Sequence, residues 1–140
     1  MEIIKMTGDQ VPQVAALEKN CFSDPWSEKS VREELQNPLS LWLTAMEGER
    51  LAGYAGSQTV MGETDMMNVA VDPDFRRQGV GEKLILSLVE QLKESGNTKK
   101  HNLLRLLLGT LTQRSHTYRR KEACIPPGTY PKLFLLTAGL

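Results

Sequence analysis

A chain of 140 residues can bury one sizeable core and is too short for an independent second one, so a single domain over residues 1–140 is expected. Its 17 basic and 17 acidic side chains cancel, which excludes the overall field that draws a protein to nucleic acid or an anionic membrane; any partner must be recognised locally. Two cysteines make neither a disulfide framework nor the four ligands of a structural zinc site, so no metal is expected and Cys21 reads as a small buried hydrophobe.

The start, Met1-Glu2-Ile3-Ile4-Lys5, lacks the basic and apolar regions of a leader, and no run reaches the roughly 18 apolar residues of a membrane span. A cytoplasmic location is expected. Residues 3–6 read as a strand. Thr7 and Gln10 have the spacing of a capping box, and Pro12 suits a first helical turn, predicting a helix to about Asn20. Val11, Val14, Ala15, Leu17 and Cys21 form its apolar stripe. The loop Phe22-Ser23-Asp24-Pro25-Trp26 leads to Ser27, an N-cap for a second helix that ends near Asn37-Pro38.

Residues 41–46 and 51–56 flank Glu47-Gly48-Glu49-Arg50, the pattern of a hairpin. A further strand, 65–71, ends at Asp72-Pro73, where proline cannot continue a ladder. From Val80 the positions Leu84, Leu88, Val89 and Leu92 share one helical stripe, and Gly96 suits the C-cap. No repeat or low-complexity tract interrupts this part.

The chemistry lies where the 65–71 strand meets that helix, because a helix N-terminus offers N–H donors and positive dipole character to an anion. Gly79 and Gly81 clear the approach of phosphate oxygens, and Arg76 or Arg77 adds charge. No lysine follows Gly81 as in a Walker loop, and the spacing differs from the dinucleotide fingerprint. A glycine turn before a helix is also an ordinary tight connection, so its surroundings decide between the two readings.

Those surroundings, Asn68 to Val71 followed by Asp72-Pro73-Asp74-Phe75-Arg76-Arg77-Gln78-Gly79-Val80-Gly81, resemble motif A of the Gcn5-related N-acetyltransferase superfamily with its Arg/Gln-x-x-Gly-x-Gly/Ala signature. The resemblance implies a mixed α/β fold, a central, mostly antiparallel sheet with helices on both sides, and acetyl-CoA as cosubstrate. It implies cofactor contacts at Val69, Ala70 and Val71, where backbone pairs with the pantetheine arm, and at Arg76, Arg77, Gln78, Gly79, Val80, Gly81 and Glu82. The loop from Phe22 to Glu28, with Glu33-Glu34-Leu35, resembles the ribosomal-protein-alanine N-acetyltransferase branch, in which this segment shapes the acceptor cleft. Phe22, Pro25 and Trp26 are the acceptor-side candidates, although Trp26 reads first as a structural plug between helices. The implied partner is a protein N-terminus, that of a small-subunit ribosomal protein, with a monomer or weak dimer as the working unit. Another amine acceptor, or a coenzyme A binder without turnover, are the alternatives, since motif A says little of the acceptor.

After about Asn97 the resemblance stops, and the closing strands and the Leu-Tyr-Glu-Lys-x-Gly-Phe stretch of the family are missing. Instead come a leucine-rich run, 103–111, a basic segment, 114–121, and Pro126-Pro127-Gly128. Back-translating residues 118–126 and sliding one nucleotide permits Leu-Ser-Lys-Lys-Arg-Gly-Leu-His-Ser, which resembles that stretch, so a shifted reading frame is the expectation and a divergent tail the alternative. The branch takes its base from the strand after the motif A helix and its acid from a later tyrosine, so no catalytic residue is carried over. Tyr118, Glu122 and Tyr130 are candidates by type alone, His101 and His116 lack partners at ligand spacing, and Arg114, Arg119, Arg120 and Lys121 read as a solvated basic run.

Overall fold

A computed structural model describes residues 1–96 and Lys99. The tail features at 101, 103–111, 114–122, 126–128 and 130 lie outside the described residues. The elements are β1 (Glu2–Lys5), α1 (Val11–Cys21), α2 (Glu28–Glu34), β2 (Ser40–Glu47), β3 (Arg50–Val60), β4 (Glu63–Val71), a 3-10 turn (Pro73–Phe75) and α3 (Val80–Ser95).

The four strands form one antiparallel meander in the order β1-β2-β3-β4. Short connections make that order natural: β2 and β3 are joined through Gly48 at φ 60, and β3 and β4 through Met61 and Gly62 at φ 53 and 81. The second hairpin is longer than the sequence pattern suggested, because the polar stretch at the end of β3 stays paired with β4 as far as Val60 opposite Glu63. A register shift between Gly56 and Ser57 lets the ladder continue across a change of facing.

Helices cover both faces of the sheet. On one face α3 packs Val80, Leu84, Ile85 and Leu88 against Leu43, Ala55, Val69 and Val71. On the other, α1 and α2 bring Val11, Val14, Leu17 and Val31 against Trp42, Tyr54 and Ala70. Each fully buried aliphatic side chain contributes roughly 1.5–3 kcal/mol, so the two clusters hold the sheet from both sides. Gln13 adds a polar tie: its Oε1 accepts from Leu51 N–H at 2.8 Å and its Nε2 donates to the Glu49 carbonyl at 3.0 Å, locking α1 onto the first hairpin.

The helix ends follow their local chemistry. Ser27 Oγ accepts from Ser30 N–H at 3.1 Å, the expected N-cap of α2, which stops at Glu34, one turn short of Asn37-Pro38. The residues between form reverse turns, with Asn37 Oδ1 accepting from Leu39 N–H. Thr7 and Gln10 form half a capping box: Gln10 Oε1 accepts from Thr7 N–H at 2.7 Å, while α1 itself begins only at Val11, so the box closes the preceding turn. Gly96 caps α3 in the left-handed conformation, as its position suggested.

Candidate active site

The turn between β4 and α3 is held by an Asp72 cap and an Arg50 clamp, and at the start of α3 it presents backbone. Asp72 caps the 3-10 turn by accepting from Asp74 N–H at 2.9 Å. Arg50 from the start of β3 grips the same turn, paired with Asp72 at 3.6 Å and with Asp74, its guanidinium 4.9 Å from the Phe75 ring centre. Arg77 follows at φ 64, and Gly79, the N-cap of α3, at φ 74. Nothing lies within 4 Å of where a Gly79 Cβ would stand, so glycine is demanded there by the backbone and leaves open space above the helix end. The first intrahelical bond runs from Lys83 N–H to the Gly79 carbonyl at 3.0 Å, which puts the N–H groups of Val80 and Gly81 ahead of the hydrogen-bonded ladder.

Charge at this turn is unevenly satisfied. Arg50 consumes Asp72 and Asp74, whereas the half-buried Arg76 has a buried Nε with no hydrogen-bond partner among the described residues. Arg77 and Gln78 are exposed beside it, and Glu82 is half-buried in the first turn of α3, where a carboxylate suits the positive end of the dipole. An unpartnered guanidinium nitrogen, an open glycine and a helix N-terminus are the elements of a phosphate cradle.

The strand leading into the turn has a polar edge. Asp72 N–H donates to the Ala52 carbonyl at 2.8 Å, making 52 and 72 a hydrogen-bonded pair. Alternation through Gly53↔Val71, Tyr54↔Ala70 and Ala55↔Val69 then turns the backbone groups of Ala70 toward β3 and those of Val69 and Val71 away from it. Among the described residues β4 is the edge of the sheet. The side chains of Val69 and Val71 are core, so whatever these residues offer a ligand is backbone.

A second constellation lies across the sheet from α3. Glu18 of α1 is fully buried. Its Oε1 accepts from the Tyr54 hydroxyl and from Asn68 Nδ2 at 2.7 Å, and its Oε2 accepts from the backbone N–H of Trp26 at 3.1 Å. Burying a carboxylate is costly unless donors surround it, and these three come from β3, β4 and the α1–α2 loop. Burial, then the Glu18 charge and the hydrogen bond to it, hold the Tyr54 phenol well above its ordinary value of 10.0, so it remains a donor. Tyr54 stacks on Trp42 at 5.7 Å, and Trp42 meets Trp26 edge to face at 5.5 Å. The contacts close into a ring: Trp26 N–H, Glu18, Tyr54, Trp42, and back to the Trp26 indole. Gly56 makes room, since a Cβ there would stand 2.5 Å from the Trp42 ring.

The acceptor-side candidates separate. Phe22 is 8% exposed and belongs to the α1 core, Pro25 is exposed, and Trp26 is half-buried on Trp42. Glu18, Trp42, Tyr54 and Asn68 were not singled out by their residue types. One signal was present: Glu18 falls on the same helical stripe as Val11, Val14 and Cys21, an acid where an apolar side chain was due. Cys21 is fully buried but disulfide-bonded, which corrects its reading as a free thiol packed as a hydrophobe. No group of three or more potential metal ligands occurs among the described residues, and no described helix is long and apolar enough to cross a membrane.

Known acetyltransferases resemble this chain in sequence and in fold. The profile described as "Acetyltransferase (GNAT) family" matches residues 11–105. A Salmonella typhimurium strain LT2 protein named "[Ribosomal protein bS18]-alanine N-acetyltransferase" is 37% identical over 87 residues, 61% of this chain and 57% of its own length. The crystal structure of the ribosomal-protein-S18-alanine N-acetyltransferase from Escherichia coli superposes with a TM-score of 0.61 and 30% identity, over 68% of this chain and 61% of that one. An aminoglycoside 6'-N-acetyltransferase complexed with coenzyme A, 19% identical, shares the fold, with a TM-score of 0.58 over 69% of this chain and 57% of its own. The chain thus spans less than two thirds of the length of each.

Proposed function

The chain belongs to the GNAT acetyltransferase family, and from that premise we propose that it transfers an acetyl group from acetyl-CoA to the N-terminal α-amine of a protein, the alanine of ribosomal protein bS18, in the cytoplasm. The observation that carries the cofactor half is the open, Gly79-capped N-terminus of α3 beside the unpartnered Arg76 Nε. The acceptor half is supported by the relative named for bS18 alanine at 37% identity.

When bound, acetyl-CoA supplies an acetyl group activated as a thioester. The N–H groups of Val80 and Gly81 and the Arg76 and Arg77 side chains hold the pyrophosphate, with Gln78, Gly79 and the backbone of Glu82 completing the turn. The outward backbone of Val69 and Val71 holds the pantetheine arm, Ala70 keeping the strand on β3. Pro25 and Trp26 wall the acceptor side, with Phe22 anchoring their loop in the core.

The acceptor amine must shed a proton before it attacks. Glu18 and Tyr54 are fully buried and hydrogen-bonded to one another, which removes both from that role. The positions from which the family takes its base and acid fall beyond the described residues. We infer direct attack in a ternary complex, with the fully buried Cys21 left out of the chemistry.

The test is calorimetric titration with acetyl-CoA, followed by mass spectrometry of short peptides offered with acetyl-CoA. Micromolar binding and a 42 Da gain (about one acetyl group) on a peptide with N-terminal alanine is the expected result. Modification of small amines in preference to peptides would replace the acceptor assignment. Binding without turnover of either would make the chain an inactive coenzyme A binder.

A further inference from the structure

We propose that Glu18 is a positioning residue that registers the acceptor loop against the cofactor-binding strand. The inference rests on the reading of the Phe22–Trp26 loop as the acceptor wall, and it is carried by one carboxylate that reaches three elements at once. Oε2 takes the backbone N–H of Trp26 in the loop, while Oε1 takes Asn68 Nδ2 on β4 and the Tyr54 hydroxyl on β3. Asn68 immediately precedes Val69, whose backbone turns toward the outer edge. A displacement of the loop relative to that edge therefore has to break a bond to a fully buried carboxylate.

The bond to the loop is to backbone, which fixes the chain path irrespective of the side chain carried there. The Trp26 indole is fixed separately, edge to face on Trp42, which stacks on Tyr54, which returns to Glu18. Closure of this ring means that the Trp26 indole and the Trp26 backbone N–H are both referred to Glu18. Two side chains that merely filled space would not need the donors of three elements converging on two oxygens.

The substitution Glu18→Gln separates the two ends of the device. An amide keeps one acceptor oxygen, best spent on Tyr54 and Asn68 together, and turns its NH2 toward Trp26 N–H, where donor now meets donor. The loop is released while the β3 and β4 side stays satisfied.

Three readings on the full chain and the variant decide the matter. Amide hydrogen exchange should show the Trp26 N–H exchanging about tenfold faster or more in Glu18→Gln, with α3 protection unchanged. The acetyl-CoA Kd should stay within about twofold, while KM for a peptide with N-terminal alanine rises about tenfold and kcat changes far less. Glu18→Asp, a methylene shorter, should lie on the side of the variant rather than the wild type.

A Trp26 amide as protected in Glu18→Gln as in wild type overturns the proposal. So does loss of protection throughout α3 with acetyl-CoA affinity and peptide KM failing together, the pattern of a residue that only stabilises the fold. If the wild-type chain acetylates no peptide, the functional reading fails by itself, and exchange at Trp26 with the acetyl-CoA titration still decides whether Glu18 holds the loop.

Discussion

The turn at Asp72–Gly81 and the junction at Glu18 are built in opposite ways. The turn consists of consecutive residues clamped from outside by Arg50, uses backbone groups and φ angles at the start of α3, and leaves the space above Gly79 open. The junction gathers side chains from four strands and helices and the α1–α2 loop, and is sealed from solvent at Glu18 and Tyr54. A site made of backbone tolerates variation in most of its side chains but not in its glycines. A site made of a buried ionic network tolerates little change in any member, because each partner lost leaves another unsatisfied.

That contrast can be broken most forcefully at Gly79. Gly79→Glu places a carboxylate where the pyrophosphate is proposed to sit, and the acetyl-CoA Kd should rise at least about 100-fold by calorimetry. Gly79→Asn, whose side chain tolerates the left-handed conformation, should retain the fold and much of the binding. If both variants bind alike, the backbone account of the turn is wrong.

At the junction the largest loss should come from Gly56→Ala. The added Cβ meets three Trp42 ring atoms at 2.5–2.8 Å, and overpacking of this kind costs about 3 kcal/mol in denaturant unfolding. Acetyl-CoA affinity of the folded protein should hardly change, which is what distinguishes the two regions.

Tyr54→Phe should cost about 2 kcal/mol near neutral pH by removing a donor from a buried carboxylate. Its pH dependence sharpens the comparison. The Tyr54 phenol is raised above its unfolded value of 10.0, so its contribution is fully present below pH 10 and is lost as pH rises through the higher folded value. The stability gap between wild type and Tyr54→Phe should therefore narrow above pH 10, in melts taken from neutral to strongly alkaline solution.

The smallest effect belongs to Arg50, more than half exposed and joined to Asp72, Asp74 and the Phe75 ring. Arg50→Ala should loosen the approach to the turn and raise the acetyl-CoA Kd about twofold, an effect that fades in high salt. A larger change would mean that the turn depends on side chains more than its backbone geometry implies.

The same contrast governs what could be read in advance. The strands, the long helix with its Gly96 cap and the glycine turn were legible because each rests on neighbours in sequence: alternation, a 3.6-residue stripe, a cap. The full length of β3 was not, since its polar end is a strand only by virtue of pairing with β4. Trp26 was legible as a residue of interest, but not the reason it is held. Its carboxylate partner lies eight residues back, and that carboxylate's other ligands lie 36 and 50 residues away. Glu18 interrupts an apolar stripe, and an acid in that position identifies a buried network without naming its members.

Both tryptophans of the chain, Trp26 and Trp42, sit in the Glu18 ring. Intrinsic emission excited at the indole band is thus a native optical probe of the Glu18 ring. Occupation of the phosphate cradle should leave its wavelength maximum nearly still, whereas release of the loop should shift it to the red as the Trp26 indole meets water. The molecule carries, without any label, a spectroscopic channel that listens to this junction.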